Sequence, residues 1–218
     1  MKKRANPLLS LIFALAALVL IITFSIALPI YVRPFYYAHV DVLDMPERLG
    51  CDREVIIEAY DEVLDFLTLP GREFGTGELK YSEEGKGHFE DCKVLFDLNR
   101  NALLISLGVV LVLSLLNKIG IIRIARPFGR KISFTVGALT ILLFASLAVI
   151  VAKDFDAAFT VFHKIFFPGK DNWLFNPYTD QIILVMPQEF FMNCAILICS
   201  SILLISGVLV VRGNNGKK

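Results

Sequence analysis

Four stretches of the chain carry no ionisable side chain over a length that can cross a bilayer: residues 5–32, 101–117, 132–152 and 190–211. At about 1.5 Å per residue each can span a hydrocarbon core of roughly 30 Å, the second only just. Its helix is therefore expected to run outward through Phe96 and inward past Lys118, whose amine can snorkel to the headgroups. The pattern predicts an all-α membrane protein with four transmembrane helices, at residues 7–30, 98–119, 132–152 and 188–211 of a single membrane domain. The first apolar run, Pro7 to Ile30, is longer than the roughly 7 to 15 residues of a signal-peptide core, so it is expected to remain as an anchor.

The polar segments between the spans, residues 31–97 and 153–187, predict a partly helical cap. Within it, Cys51 to Leu69 reads as an amphipathic helix with Val55, Ile57, Tyr60, Val63, Leu64 and Leu67 near one face and Asp61, Glu62 and Asp65 mostly opposite. Pro70 and Gly71 end it, and Gly71, Gly75, Gly77, Gly85 and Gly87 predict a loop that follows. Gly75-Thr76-Gly77 lacks the glycine spacing and the lysine of a phosphate loop. From His88, the positions Phe89, Cys92, Leu95 and Phe96 predict helix leading into the second span. In the second segment Asp156 is the expected cap of a short interfacial helix carrying Phe159, Phe162, His163 and Phe166. Pro187 suits the first turn of the last span.

Charge then orients the spans. The basic residues Lys2, Lys3, Arg4, Lys118, Arg123, Arg126, Arg130, Lys131, Arg212, Lys217 and Lys218 fall on one side with no acid among them, which the positive-inside rule assigns to the cytoplasm. Both termini are then cytoplasmic. All 21 acidic residues and all three histidines fall in the remaining stretches, residues 29–100 and 153–192, so the cap is expected to be extracellular and to hold any polar chemistry. Twenty of the 25 aromatic residues lie there too, as expected of a layer at the membrane boundary. With 56% hydrophobic residues and a net charge of +1, the chain is not expected to bind nucleic acid.

No ionisable residue lies within a span, which disfavours a proton or ion path. Nucleophile-elbow, Cys-x-x-Cys, His-Glu-x-x-His and Walker signatures are absent. What remains is histidine among aromatics. His88 sits in Gly87-His88-Phe89-Glu90-Asp91-Cys92 with Asp91 three residues on, and His163 sits in Phe162-His163-Lys164-Ile165-Phe166-Phe167. An imidazole at such a boundary can serve as base or acid, although an interfacial histidine is often only a packing residue. His39 has no partner pattern and reads as structural. A metal held by His88, Asp91 and His163 lacks any recognised ligand spacing, so neither a metal nor a cofactor is expected. Cys92, four residues after His88, is the alternative nucleophile, or it could pair with Cys51 as a disulfide; Cys194 and Cys199 read as packing within the last span.

Phe162-His163-Lys164-Ile165-Phe166-Phe167, Trp173-Leu174-Phe175, Asp180-Gln181-Ile182-Ile183 and Pro187-Gln188-Glu189-Phe190-Phe191 resemble the signature of a bacterial four-span family, the lipoprotein intramolecular transacylase (Lit) family. Ser82-Glu83-Glu84, His88 and Asp91-Cys92-Lys93-Val94-Leu95-Phe96 are similar to its pattern ahead of the second span. The resemblance implies four transmembrane helices under an extracellular cap in the bacterial cell membrane. It implies an enzyme that moves the sn-2 acyl chain of a diacylglyceryl-modified lipoprotein onto the α-amine of its N-terminal cysteine, leaving a lyso-form lipoprotein. The implied partners are such lipoproteins and membrane lipids, and the implied catalytic residues are His88 and His163. Asp91, Asp180 and Glu189 are then candidates to orient an imidazole or bind the substrate ammonium, and Tyr81, Phe162, Phe166, Trp173 and Phe175 to line the pocket. Two alternatives stand beside this reading: a non-catalytic module that binds a partner through its cap, and a membrane acyltransferase or hydrolase that depends on Cys92.

Overall fold

The computed structural model describes residues 5–214, and those residues form nine α-helices and a short 3-10 turn at Pro127–Gly129, with no strand among them. The helices are α1 (Pro7–Tyr31), α2 (Pro34–Val42), α3 (Met45–Leu49), α4 (Arg53–Thr68), α5 (Glu83–Lys118), α6 (Ile132–Lys153), α7 (Phe155–Phe166), α8 (Ile182–Val185) and α9 (Gln188–Asn214). Four of them, α1, α5, α6 and α9, are long and apolar enough to cross a membrane. Lys2, Lys3, Arg4, Lys217 and Lys218, which helped to orient the chain, lie outside the described residues.

The chain forms two compact units, one of residues 1–28, 99–152 and 196–218 and the other of residues 29–98 and 153–195. In the first, Ile21, Val136 and Ile202 are buried together, and Gly137, which has no side chain, lets α6 approach α9 closely. A Cβ on Gly137 of α6 would lie 2.6 Å from the carbonyl oxygen of Ser206 on α9. Such contacts pack helices where lipid removes the hydrophobic drive for association. Thr23 and Thr140 satisfy their hydroxyls on their own helices, donating to the carbonyls of Val19 and Val136 at 2.8 Å. Leu104, Ile105, Leu142 and Leu204 point outward and exposed, as lipid-facing residues must.

The second unit has an aromatic core. Tyr36 of α2 stacks on Tyr60 of α4 with ring centroids 3.6 Å apart, and Phe190 of α9 meets both rings edge-on. The Tyr36 hydroxyl is buried and donates to the carbonyl of Val185 at 2.6 Å, which ties α2 to α8. At the rim, Arg33 pairs with Asp61 at 2.9 Å and with Asp65, and the Tyr37 hydroxyl donates to Asp61 at 2.8 Å.

The structure departs from the sequence expectations at four places. The buried face of α4 centres on Ile56, Ala59, Tyr60, Val63, Leu64 and Leu67, so Ile56 faces the core where Val55 and Ile57 were expected. The cap of α7 is Asp154, whose carboxylate accepts from the backbone N–H of Ala157 at 2.9 Å, while Asp156 sits in the first turn. The loop expected after Gly71 is present but ends at Ser82, and its last part, residues 83–87, is already helical, because α5 starts at Glu83 behind Ser82, whose hydroxyl accepts from the N–H of Gly85 at 3.0 Å. Gly85 is there for space: a Cβ would lie 2.1 Å from Oδ1 of Asp180 and 3.2 Å from the Phe175 ring. Cys51 and Cys92 are free thiols, so the disulfide considered for them is not formed.

Candidate active site

Two helices of the second unit deliver the histidines. His88 lies in the second turn of α5, before the stretch free of ionisable residues begins at Asn101, and His163 lies in the last turn of α7. Their rings are 5.7 Å apart, and both are buried, with 5% and 6% of their surface exposed. Two residues 75 positions apart in the chain thus form one site.

Aromatic rings enclose the pair. Trp173 stacks on His163 with centroids 4.5 Å apart, Phe159 packs against it at 4.2 Å from one turn earlier, and Phe162 meets it edge-on at 5.4 Å. Phe167 touches both imidazoles, 4.9 Å from His88 and 5.7 Å from His163. Phe175 meets His88 at 5.5 Å and stacks on Phe89, which stacks on Phe74, whose edge meets Tyr81. Tyr81 thus stands three rings out from Phe175 and is half exposed. Phe166 packs on Phe162 at 4.6 Å, and both keep an exposed side beside His163.

The three candidate carboxylates have different surroundings. Asp91 lies one turn from His88 on α5, where Lys170 donates to it at 2.5 Å and Asn172 at 3.3 Å. Burial works to raise its carboxyl, but these hydrogen bonds and the lysine charge outweigh burial and hold it below the ordinary range. Asp180 is buried and accepts from the backbone N–H and the hydroxyl of Ser82, both at 2.8 Å, and from the hydroxyl of Thr179 at 2.7 Å. It holds the start of α5. Glu189 is half exposed and lies 3.8 Å from Arg48. Asp91 is the one of the three that the structure places beside an imidazole; Asp180 stands one turn away against Gly85.

Burial sets the protonation of the site. It pushes His88 down to about 4, helped by the neighbouring His163 and by Lys170 and opposed by Asp91. His163 is lowered by burial too, against a hydrogen bond to the Phe159 carbonyl that favours its charged form. Both rings are therefore neutral at physiological pH and can accept protons. Burial and the adjacent Asp91 push the Cys92 thiol up to about 12, so it stays protonated, in contrast to an activated nucleophile. Among the described residues no cluster of side chains could hold a metal ion.

Residues 11–191 match the family described as lipoprotein intramolecular transacylase Lit. The chain belongs to this family. It is similar to the membrane-integral Lit of Bacillus cereus, whose in meso structure superposes with a TM-score of 0.84 over 94% of this chain and 92% of that one, at 25% identity. Two further Bacillus cereus Lit structures, with one histidine replaced by arginine or by alanine, match at 24% identity and a TM-score of 0.77 over 94% of this chain and 88% and 90% of theirs. No curated protein matches. As a Lit family member the chain is an enzyme of the transacylase class, and its four apolar helices and membrane-integral relative make it a multi-pass membrane protein.

Several residues of this Lit site were not singled out from sequence as pocket residues. Phe159 and Phe167 carried a signal, since both sit four positions from His163 on one helical face. Lys170 and Asn172 carried none, because their partner Asp91 lies 79 and 81 positions earlier.

Proposed function

We propose that this chain transfers the sn-2 acyl group of a diacylglyceryl-modified lipoprotein to the α-amine of that lipoprotein's N-terminal cysteine, and that His88 and His163 supply the acid and base. The observation that carries the reading is a pair of buried, neutral imidazoles 5.7 Å apart in an aromatic enclosure. Ester and amine belong to one substrate molecule, so the reaction needs no protein nucleophile. It needs two parts of a flexible lipid held together, which is what effective molarity supplies, and proton transfers at both ends of the exchange.

The substrate enters as an ammonium, whose ordinary pKa of about 7.7 to 8.0 keeps it charged at neutral pH. His163 takes its first proton at Nε2, and the Phe159 carbonyl, already bound to Nδ1 at 2.8 Å, steadies the imidazolium. The freed amine attacks the ester carbonyl carbon and loses its second proton to His88. As the bond from that carbon to the glycerol oxygen breaks, His163 returns its proton to the departing oxygen. The products are an amide, a free glycerol hydroxyl and one proton on His88 that is released to water. Phe162, Phe166, Trp173 and Phe175 give the acyl chain an apolar lining, while Tyr81 and Glu189 line its outer approach. Asp91, held by Lys170 and Asn172, acts on His88 through its charge, which favours the protonated ring, and Asp180 acts by fixing the start of α5. The basic loops, by the positive-inside rule, support a reading with both termini in the cytoplasm and the histidines on the extracellular side of the bacterial cell membrane, with lipoproteins and membrane lipids as the partners.

Mass spectrometry of lipoprotein N-termini from cells with and without the protein tests this. Its presence should shift one acyl group from glycerol to the cysteine amine, and His88→Asn or His163→Asn should lower the shifted fraction about 10²- to 10⁴-fold. An amine that stays free in wild-type cells overturns the reading.

A further inference from the structure

Each imidazole of the pair has two nitrogens, and the protein occupies opposite ones. Nδ1 of His163 lies 2.8 Å from the Phe159 carbonyl, which can only accept, so Nδ1 carries the hydrogen and Nε2 remains for chemistry. At His88 the arrangement is reversed. Its Nε2 lies 3.3 Å from the sulfur of Cys92, one turn further along the same helix, while its Nδ1 is buried without any hydrogen-bond partner. The whole side chain is 95% buried, so bulk water does not supply the missing partner. A buried imidazole nitrogen left unpaired beside a second catalytic-type imidazole is a place prepared for a group that arrives later.

We propose that His88 meets the substrate through Nδ1, and that Cys92, by holding Nε2, is the positioning residue that fixes this choice. The inference deepens the transacylase reading and rests on it for the identity of the substrate group. Sulfur is a weak acceptor as well as a weak donor. With Nε2–H directed at Sγ, the lone pair of neutral His88 lies on Nδ1, where the substrate amine can deliver its proton. When that proton arrives, both nitrogens carry hydrogen and the contact to sulfur needs no rearrangement. The thiol remains a thiol throughout, since burial keeps it from ionising. Cys92 also packs against the aromatic core of its unit, so the sulfur is held in place from behind. Without it the ring is free to turn over about its outer bond and present either nitrogen.

The whole protein in lipid nanodiscs, labelled with 15N-histidine, tests this directly, because the chain has only three histidines and His88→Gln identifies one signal. Wild-type His88 should show the neutral form with hydrogen on Nε2. Cys92→Ala should give a mixture of both forms and lower kcat about tenfold with KM unchanged, and Cys92→Ser, which keeps a hydrogen-bonding atom at that place, should recover most of both. Hydrogen on Nδ1 in neutral wild-type His88 overturns the proposal, as does a Cys92→Ala variant with unchanged nitrogen signals and unchanged kcat. A Cys92→Ser variant with no activity but unaltered His88 signals also overturns it, in favour of sulfur as a reactant. A wild-type protein that transfers no acyl group sinks the transacylase reading instead, and the nitrogen signals tell the two failures apart.

Discussion

Asp180 accepts hydrogen bonds from the backbone N–H and the hydroxyl of Ser82, both at 2.8 Å, across 98 residues of chain. That one carboxylate anchors the segment leading into α8 to the first turn of α5, six residues before His88. Gly85 makes room for it.

Gly85→Ala is expected to destabilise the protein although alanine is the better helix former. The helical gain is about 1 kcal/mol. Against it stands a Cβ 2.1 Å from Oδ1 and 2.9 Å from Cγ of Asp180. The carboxylate cannot swing aside without releasing Ser82 and Thr179, and Phe175 closes the other side at 3.2 Å. Overpacking of this kind costs about 1–3 kcal/mol, so the clash wins. Thermal unfolding in detergent should show a lower midpoint, and acyl transfer should fall because Phe175 also touches His88. A midpoint raised by the substitution would show that Asp180 is free to move.

Acid is expected to destabilise the fold through His88. The groups that bear on it are His163 and Lys170, which lower its affinity for a proton, and Asp91, which raises it, but burial dominates. The folded chain binds this proton near pH 4 and the unfolded chain near 6.5. Between those values the unfolded state holds more protons, so stability rises with pH across the window and is lost as pH falls through it. A shift of that size corresponds to roughly 3 kcal/mol for so buried a group. His163 adds to the trend in the same direction. Unfolding followed at pH 7.5 and pH 4.5 should show a large loss for the wild type and a clearly smaller one for His88→Gln. Equal losses would mean that His88 is solvated in the folded protein.

Much of this fold could be read from the sequence, and the reason is the membrane. Lipid tolerates no ionisable group, so the stretches between Arg4 and Arg33, Arg100 and Lys118, Lys131 and Lys153, and Glu189 and Arg212 announce their helices by exclusion. His88 and His163 stood out because each lies among aromatics at helical spacing, and Cys92 because four residues is one turn. What stayed hidden depends on partners far off in the chain. Nothing near Gly85 tells a space-making glycine from a flexible one; the distinction belongs to Asp180 and Phe175, about ninety residues later. Nor does Lys170 look like part of a site until the fold brings Asp91 to its amine. Asp156 was the expected cap of α7, and only the backbone shows that it is the carboxylate of Asp154 that reaches the N–H of Ala157.

The same dependence on a distant partner makes Gly137 the sharpest test of packing in the other unit. Its missing side chain lets α6 approach the backbone of α9, where an added Cβ would stand 2.6 Å from the Ser206 carbonyl oxygen, 3.0 Å from Val210 and 3.2 Å from Leu209. The nearest obstacle is backbone, so no rotamer change relieves it, and the helices must move apart along a face that also buries Val136, Thr140, Ile202 and Ser206. Between helices in lipid, close contact of small residues is a main source of attraction, since hydrocarbon solvates leucine as well as protein does. Gly137→Ala should therefore cost about 1–3 kcal/mol, read as a lower midpoint in unfolding by detergent titration. Gly108, in α5, has nothing within 4 Å of the same atom, and Gly108→Ala should be neutral or slightly stabilising. If both substitutions shift the midpoint alike, close approach at Ser206 is not what holds α6 to α9.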